Sequence, residues 1–186
     1  MKSLEEIIKG RRSIRSFLDR EVPMEVLKKL VELGSWAPSG SNAQAWEFII
    51  LNQKSEMKKF MRFSPGLFQM PGAMIFLCTD LERSEKKGGR LGRDVMSLMD
   101  VAMAAQNIML EAYSLGLGSC PLKGYDPKAA QILLKLPDSI RPDLLIILGY
   151  PDMEAKAPSR RPISEIMHKG GWDSEHRPGE TSERSV

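Results

Sequence analysis

Leu4, Ile7 and Ile8 recur at the spacing of one helical face, and Gly10 closes the short helix they predict. The rhythm returns after Pro23, where Met24, Leu27, Leu30 and Val31 predict a second helix running out near Gly34 to Trp36. A turn-rich loop is expected over 38–44. Unbroken apolar runs at 48–51, 74–78 and 144–148 read as buried strands, and a further strand is expected near Cys120, after Gly116 and Gly118. Between these lie an expected short helix at 56–61, a loop with two prolines at 64–72, and a helix at 127–136. Residues 81–92 are charged and glycine-bearing, and read as an exposed or mobile excursion.

The pattern predicts one long helix, 93–115. Its polar residues Asp94, Ser97, Asp100, Asn107, Glu111 and Ser114 keep to a narrow stripe, and almost every other position is Met, Leu, Val, Ile or Ala. A helix apolar on most sides must be covered on most sides. Either a partner chain covers it or it is the central helix of a single core, and the sequence leaves both open. From Pro151 onward the apolar content falls to scattered anchors, among them Ile163, Ile166, Met167 and Trp172, so this segment reads as an arm lying on another surface. One domain is expected over 1–172, with a disordered polar tail over 173–186.

Composition narrows the class. The chain has 186 residues, 42% hydrophobic and 27% charged, which is enough for one globular domain with its own core. A net charge of +3 is too small to argue for nucleic acid, although local basic clusters could still bind a small anion. The two cysteines, Cys78 and Cys120, form neither a CxxC pair nor a disulfide framework, and with His168 and His176 they do not match zinc-ligand spacing. Buried thiols in a reducing cytoplasm are expected, with no bound metal. The opening MKSLEEIIKG reads as an amphipathic helix and not as a signal peptide. The longest charge-free apolar run outside the strands, 101–110, is well short of the ~20 residues a membrane span needs.

Three stretches carry candidate chemistry. Arg11, Arg12 and Arg15 cluster near the start around Ser13, and Arg160 and Arg161 pair near the end. Guanidinium groups grip phosphate through forked, charge-assisted hydrogen bonds. Either cluster alone suits a solvated face equally well, so the pair is informative only if the fold unites them. The second stretch, APSGSNAQAW at 37–46, combines a rigid turn, a glycine and two side-chain amides, which supply the donors and acceptors a heterocycle edge requires. The third, GLGSCPLKGYD at 116–126, would let a ring approach the backbone at Gly124. Pro121 breaks any GxGxxG reading of it, so no dinucleotide fingerprint is present.

In order, RRSIRSF, APSGSNAQAW, AAQNIMLEAYSLGLGSC, PLKGYD and SRRPISEIMH resemble the nitroreductase family of FMN-dependent oxidoreductases, over nearly the whole of 1–172. The resemblance implies an α+β, three-layer fold, with a central mixed, mainly antiparallel sheet flanked by helices. It also implies an intertwined homodimer with FMN at the subunit interface, NAD(P)H as electron donor, and an acceptor such as a nitroaromatic or quinone. By position, Arg11 and Ser13 resemble the family's phosphate and ribityl contacts, with Arg12 beside them. Arg15 falls near the flavin's pyrimidine edge. Pro38, Ser39 and Gly40 resemble the segment that reaches the flavin of the other subunit, and Asn42 and Gln44 belong to the same motif. Lys123 and Gly124 resemble the turn whose backbone faces flavin N5, and Arg160 and Arg161 resemble the C-terminal phosphate contacts. No side chain is expected as an essential acid or base, with Arg15 a candidate electrostatic stabiliser. The Lys123 side chain would then matter at most for substrate preference. Ala45 stands where the family usually has proline, and 63–72 lacks a recognisable lid. Two alternatives remain: a flavin-binding storage or sensing protein, and a flavin-fragmenting or dehalogenating relative.

Overall fold

Ala73–Asp80 is almost wholly apolar, and as strand β2 it is buried along nearly its whole length. It lies inside a four-stranded sheet with β1 (Trp46–Leu51), β3 (Gly118–Leu122) and β4 (Ile140–Gly149), in the order β1-β2-β4-β3. All three ladders are antiparallel, and the parallel component is a single isolated bridge between Ser13 and Ser119 on the β3 edge. Alternate side chains of β2 divide the core. Ala73, Ile75 and Leu77 face one helical layer, while Met74, Phe76 and Cys78 face the other.

The first layer holds α2 (Met24–Ser35) and α5 (Ser97–Ser114), which bury Leu27, Leu30, Val101, Ala104, Ala105 and Ile108 against the sheet. The second holds α3 (Lys54–Met61) and α6 (Pro127–Leu133), which contribute Met57, Phe60 and Ala130. α1 (Leu4–Gly10) opens with a capping box between Ser3 and Glu6. This computed structural model describes residues 2–172, which fall into two compact units divided in sequence between residues 155 and 156. The second unit has one short 3-10 turn, Ile163–Glu165, and the rings of His168 and Trp172 lie 4.4 Å apart. Ile163, Ile166, Met167 and Trp172 are exposed in the single chain. The tail expected after Trp172 lies outside the described residues.

Three expectations need correction. Residues 81–91, expected as an exposed or mobile excursion, form a regular element, the helix α4 (Leu81–Leu91), and are mostly exposed. Asp80 caps it by accepting the Arg83 N–H at 2.9 Å, while its charges stay exposed and its backbone leaves helical geometry at Gly89 (φ 62°). A π-helical turn, Gly92–Met96, joins α4 to α5, so the long helix starts later than its apolar pattern. β4 begins at Ile140 and not near 144, because a bulge at Asp143 carries Pro142 inside the sheet. Proline enters interior strands only at such irregularities, whereas Pro121 sits on the edge strand β3.

Of the two expected coverings of the long helix, the one within the chain is present on its inner face. Its inner face belongs to the core, while Leu98, Met99 and Met103 are exposed, with Val95 just before them. The polar stripe is spent within the chain: Asn107 Nδ2 donates to the Leu33 carbonyl at 3.3 Å, Glu111 pairs with Lys29 at 2.8 Å, and Asp100 accepts the Gly40 N–H. No helix among the described residues is long and apolar enough to cross a membrane.

Candidate functional site

The segment after α1 runs along the β3 edge. Ile14 donates its N–H to the Ser119 carbonyl at 3.0 Å, which fixes Ser13 beside Ser119. A Cβ at Gly118 would stand 2.7 Å from the Ile14 Cβ, so glycine is required for this close approach. Arg11, Arg12, Ile14 and Ser119 line a cavity of about 330 Å³. Arg12 Nη1 donates to the carbonyls of Lys9 (2.6 Å) and Arg11 (2.9 Å), closing the α1 C-terminus. Arg11 Nη1, Arg12 Nε and Ser119 Oγ are enclosed with no hydrogen-bond partner among the described residues. Enclosed donors of this kind want an acceptor, and a phosphate offers several. Burial pushes the Cys120 thiol up, while Arg15, a hydrogen bond with Ser13, and Arg11 pull it the other way. The segment carrying the N-terminal basic cluster therefore lies beside the start of β3.

At the other end of β3, Lys123 and Gly124 are exposed. No atom lies within 4 Å of where a Gly124 Cβ would stand, so this glycine is not required by packing within the chain. Ser119 and Gly124 are five residues apart, roughly 17 Å at a strand's rise.

The loop 38–44 lies next to β1, at the opposite edge of the sheet. Three of its non-glycine residues, Ser41, Asn42 and Gln44, have φ values of 52°, 49° and 47°. That left-handed geometry is uncommon outside glycine and recurs at functional sites. Gly40 N–H donates to the Asp100 carboxylate at 3.1 Å, Gln44 N–H to Ser39 Oγ at 3.0 Å, and Gln44 Nε2 to Asn42 Oδ1 at 2.9 Å. Arg83 Nε donates to the Ala43 carbonyl at 2.6 Å. Pro38 is exposed beside them. One chain thus brings Arg11, Ser13 and Arg15 together along β3, with Lys123 and Gly124 at its far end, and sets Pro38 to Gln44 three interstrand spacings away, about 14 Å. Arg160 and Arg161 belong to the second unit, where Arg161 donates to the Glu165 carboxylate at 3.2 Å.

Sequence reasoning missed Ser119, Asp100, Arg83 and the Arg141–Asp143 pair. Ser119 carried a faint signal in its run of small residues. Asp100 and Arg83 carried none, because their partners are long-range: Asp100 meets a loop 60 positions away, and Arg83 one 40 positions away. Arg141 and Asp143 are two residues apart, but their further partners, Ser97 and Thr79, are distant in the sequence.

The sequence matches the nitroreductase family over residues 8–69 and 58–150. It is 31% identical over 176 residues to a Methanothermobacter thermautotrophicus protein whose name assigns it provisionally to the NADH dehydrogenase/NAD(P)H nitroreductases, covering 90% of this chain and 86% of that protein. It is 29% identical to an FMN reductase (NADPH) of Bacillus subtilis, covering 90% of this chain and 74% of that one. A solved nitroreductase family protein from Clostridium difficile 630 superposes with a TM-score of 0.81 at 25% identity, covering 92% of this chain and all of that one. With the sheet order, the β3-edge cluster and the left-handed loop in place, these matches establish that the chain belongs to the nitroreductase family.

Proposed function

We propose that the protein holds FMN non-covalently and works as an NAD(P)H-dependent oxidoreductase whose acceptor is a small molecule such as a nitroaromatic or quinone. One observation carries this reading. Enclosed donors of Arg11 and Ser119, with no hydrogen-bond partner among the described residues, stand at one end of an edge strand, and an open backbone turn at Lys123–Gly124 stands at the other. Such an edge suits a molecule with an anion at one end and a flat ring at the other. The names of the FMN reductase and nitroreductase relatives support the same chemistry.

When bound, the flavin supplies the ring that accepts hydride and passes electrons on. The chain's own residues supply placement. Arg11, Ser13 and Ser119 would hold the phosphate and ribityl chain, with Arg12 steadying the same turn. Arg15 would stabilise negative charge at the pyrimidine edge as a fixed cation. Lys123 and Gly124 would present backbone N–H groups to the ring, and the absence of a Gly124 side chain keeps that surface clear. Arg160 and Arg161 would add cations to the phosphate.

The site is completed by a second copy. Pro38, Ser39, Gly40, Asn42 and Gln44 lie at the wrong sheet edge to serve their own chain's β3, so they would serve the partner's. The exposed Val95, Leu98, Met99 and Met103 form an apolar stripe that such a partner would cover.

The test is an absorption spectrum of the purified protein, heat release of its cofactor for chromatography, and anaerobic addition of NADH and NADPH. FMN that bleaches with either donor is the expected result. FAD alone, or a colourless protein that takes up no FMN, would overturn the proposal.

A further inference from the structure

The bulge in β4 does more than bend a strand. Pairing passes from Leu77↔Leu144 to Cys78↔Pro142, so Asp143 is the extra residue. Asp143 is 5% exposed, and its carboxylate accepts from Arg141 Nε at 2.6 Å and from the Thr79 hydroxyl. Arg141 also reaches Ser97 Oγ at 3.0 Å, which ties the bulge to the start of α5. A buried carboxylate held this way makes the bulge a rigid fixture.

Two side chains from the turn after β3 fasten onto the bulge backbone. Lys123 Nζ donates to the Asp143 carbonyl at 2.7 Å, and Tyr125 Oη donates to the Pro142 carbonyl at 3.0 Å. The Lys123 ammonium also lies 5.6 Å from the centre of the Tyr125 ring. Between these anchors stands Gly124, exposed and with nothing packed on the side where a Cβ would be. Nothing packs on Gly124 itself, and the turn is held by its two flanking side chains together with the backbone bonds of Tyr125 N–H to the Lys123 carbonyl and Asp126 N–H to the Phe63 carbonyl.

We propose that Lys123 and Tyr125 are positioning residues: they clamp the turn to the Asp143 bulge and so set where the Gly124 backbone stands against the flavin. The inference rests on the flavin reading of the site. It gives the Lys123 side chain a role that backbone donation alone would not. Lys123 is itself exposed, so water can take its place at the Asp143 carbonyl when it is removed. The loss then falls on the geometry of the turn more than on stability.

The experiment compares the parent with Lys123→Met, Lys123→Arg and Tyr125→Phe in two measurements. The first is amide hydrogen exchange at Tyr125 and Asp126, whose N–H groups donate to the Lys123 and Phe63 carbonyls. The second, on the flavin-loaded protein, is the visible spectrum and the anaerobic flavin-reduction rate at saturating NAD(P)H. Lys123→Met should exchange faster at both amides. It should keep its flavin with a shifted visible band and be reduced about tenfold more slowly, the scale of one lost charge-assisted hydrogen bond. Lys123→Arg should restore both properties, and Tyr125→Phe should show a smaller change of the same kind. Unchanged exchange in Lys123→Met would show that there is no clamp. Faster exchange with an unchanged spectrum and rate would show that the clamp positions nothing. A parent protein that takes up no flavin would overturn the functional reading itself, and is recognisable because the parent fails before any variant is compared.

Discussion

Arg11 has an enclosed guanidinium nitrogen with no hydrogen-bond partner among the described residues, in a segment held to β3 by the Ser119 carbonyl. If a phosphate sits there, Arg11→Ala removes a charge-assisted bond of about 1.5–3 kcal/mol and weakens FMN retention by roughly ten- to a hundredfold. Equilibrium dialysis of FMN measures this, and unchanged affinity would make Arg11 a surface charge. Asp100 raises a different question. Burial raises its carboxyl above the usual range, and the Gly40 N–H only partly offsets this. An acid raised on folding favours the protonated fold. Its contribution is therefore fully present below the ordinary carboxylate range and is lost as pH rises through the raised value. Asp100→Asn keeps an acceptor for Gly40 and removes the titration. In urea unfolding at fixed protein concentration, the Asn variant should gain on the parent between pH 4 and pH 7.5. A gain that shrinks with rising pH would contradict this assignment.

At the scale of the element, α5 is divided between two environments. Ala104, Ala105, Ile108 and Ala112 are almost wholly buried, while Met99 on the outer side is 58% exposed. Small residues on the inner face let the helix lie close to the sheet, and large flexible ones on the outer face suit an adaptable contact. Met99→Glu leaves the core untouched and would place an unpaired carboxylate in the proposed interface, at a cost of several kcal/mol. Size-exclusion chromatography with light scattering should then show a dimeric mass for the parent and a folded monomer for the variant. A dimeric variant of unchanged stability would move the interface elsewhere.

For the whole molecule, the arrangement of the two sheet edges matters most. A ligand along β3 would, on the proposed reading, meet Arg11, Ser13 and Gly124 of its own chain, while the left-handed loop beside β1 is about 14 Å away across the sheet. Two copies related by symmetry could pair one chain's β3 edge with the other's loop, giving two equivalent sites. Folding and association would then be linked. The midpoint of thermal unfolding should rise with protein concentration over the micromolar range. A midpoint independent of concentration, with a monomeric mass, would remove the two-chain site.

Much of this was legible along the chain because it is local. Unbroken apolar runs marked β1, β2 and the core of β4, a period of three to four residues marked α1 and α2, and a narrow polar stripe marked α5, since each residue's face follows from its own backbone geometry. The basic cluster around Ser13 and the polar loop at 38–44 were visible as composition. What the sequence could not decide depends on partners distant in the chain. The charged run at 81–91 became a helix once Asp80 at the end of β2 capped it. Pro142 entered a central strand only because its neighbour Asp143 bulges against β2 and finds Arg141 and Thr79. The polar stripe of α5 turned inward because α2 and the Gly40 loop offered it partners. Lys123, read as a backbone position, found its role at a carbonyl 20 positions away. Periodicity encodes which face of an element is apolar. Register, bulges and side-chain clamps are set by which elements pair, and pairing is a property of the folded chain.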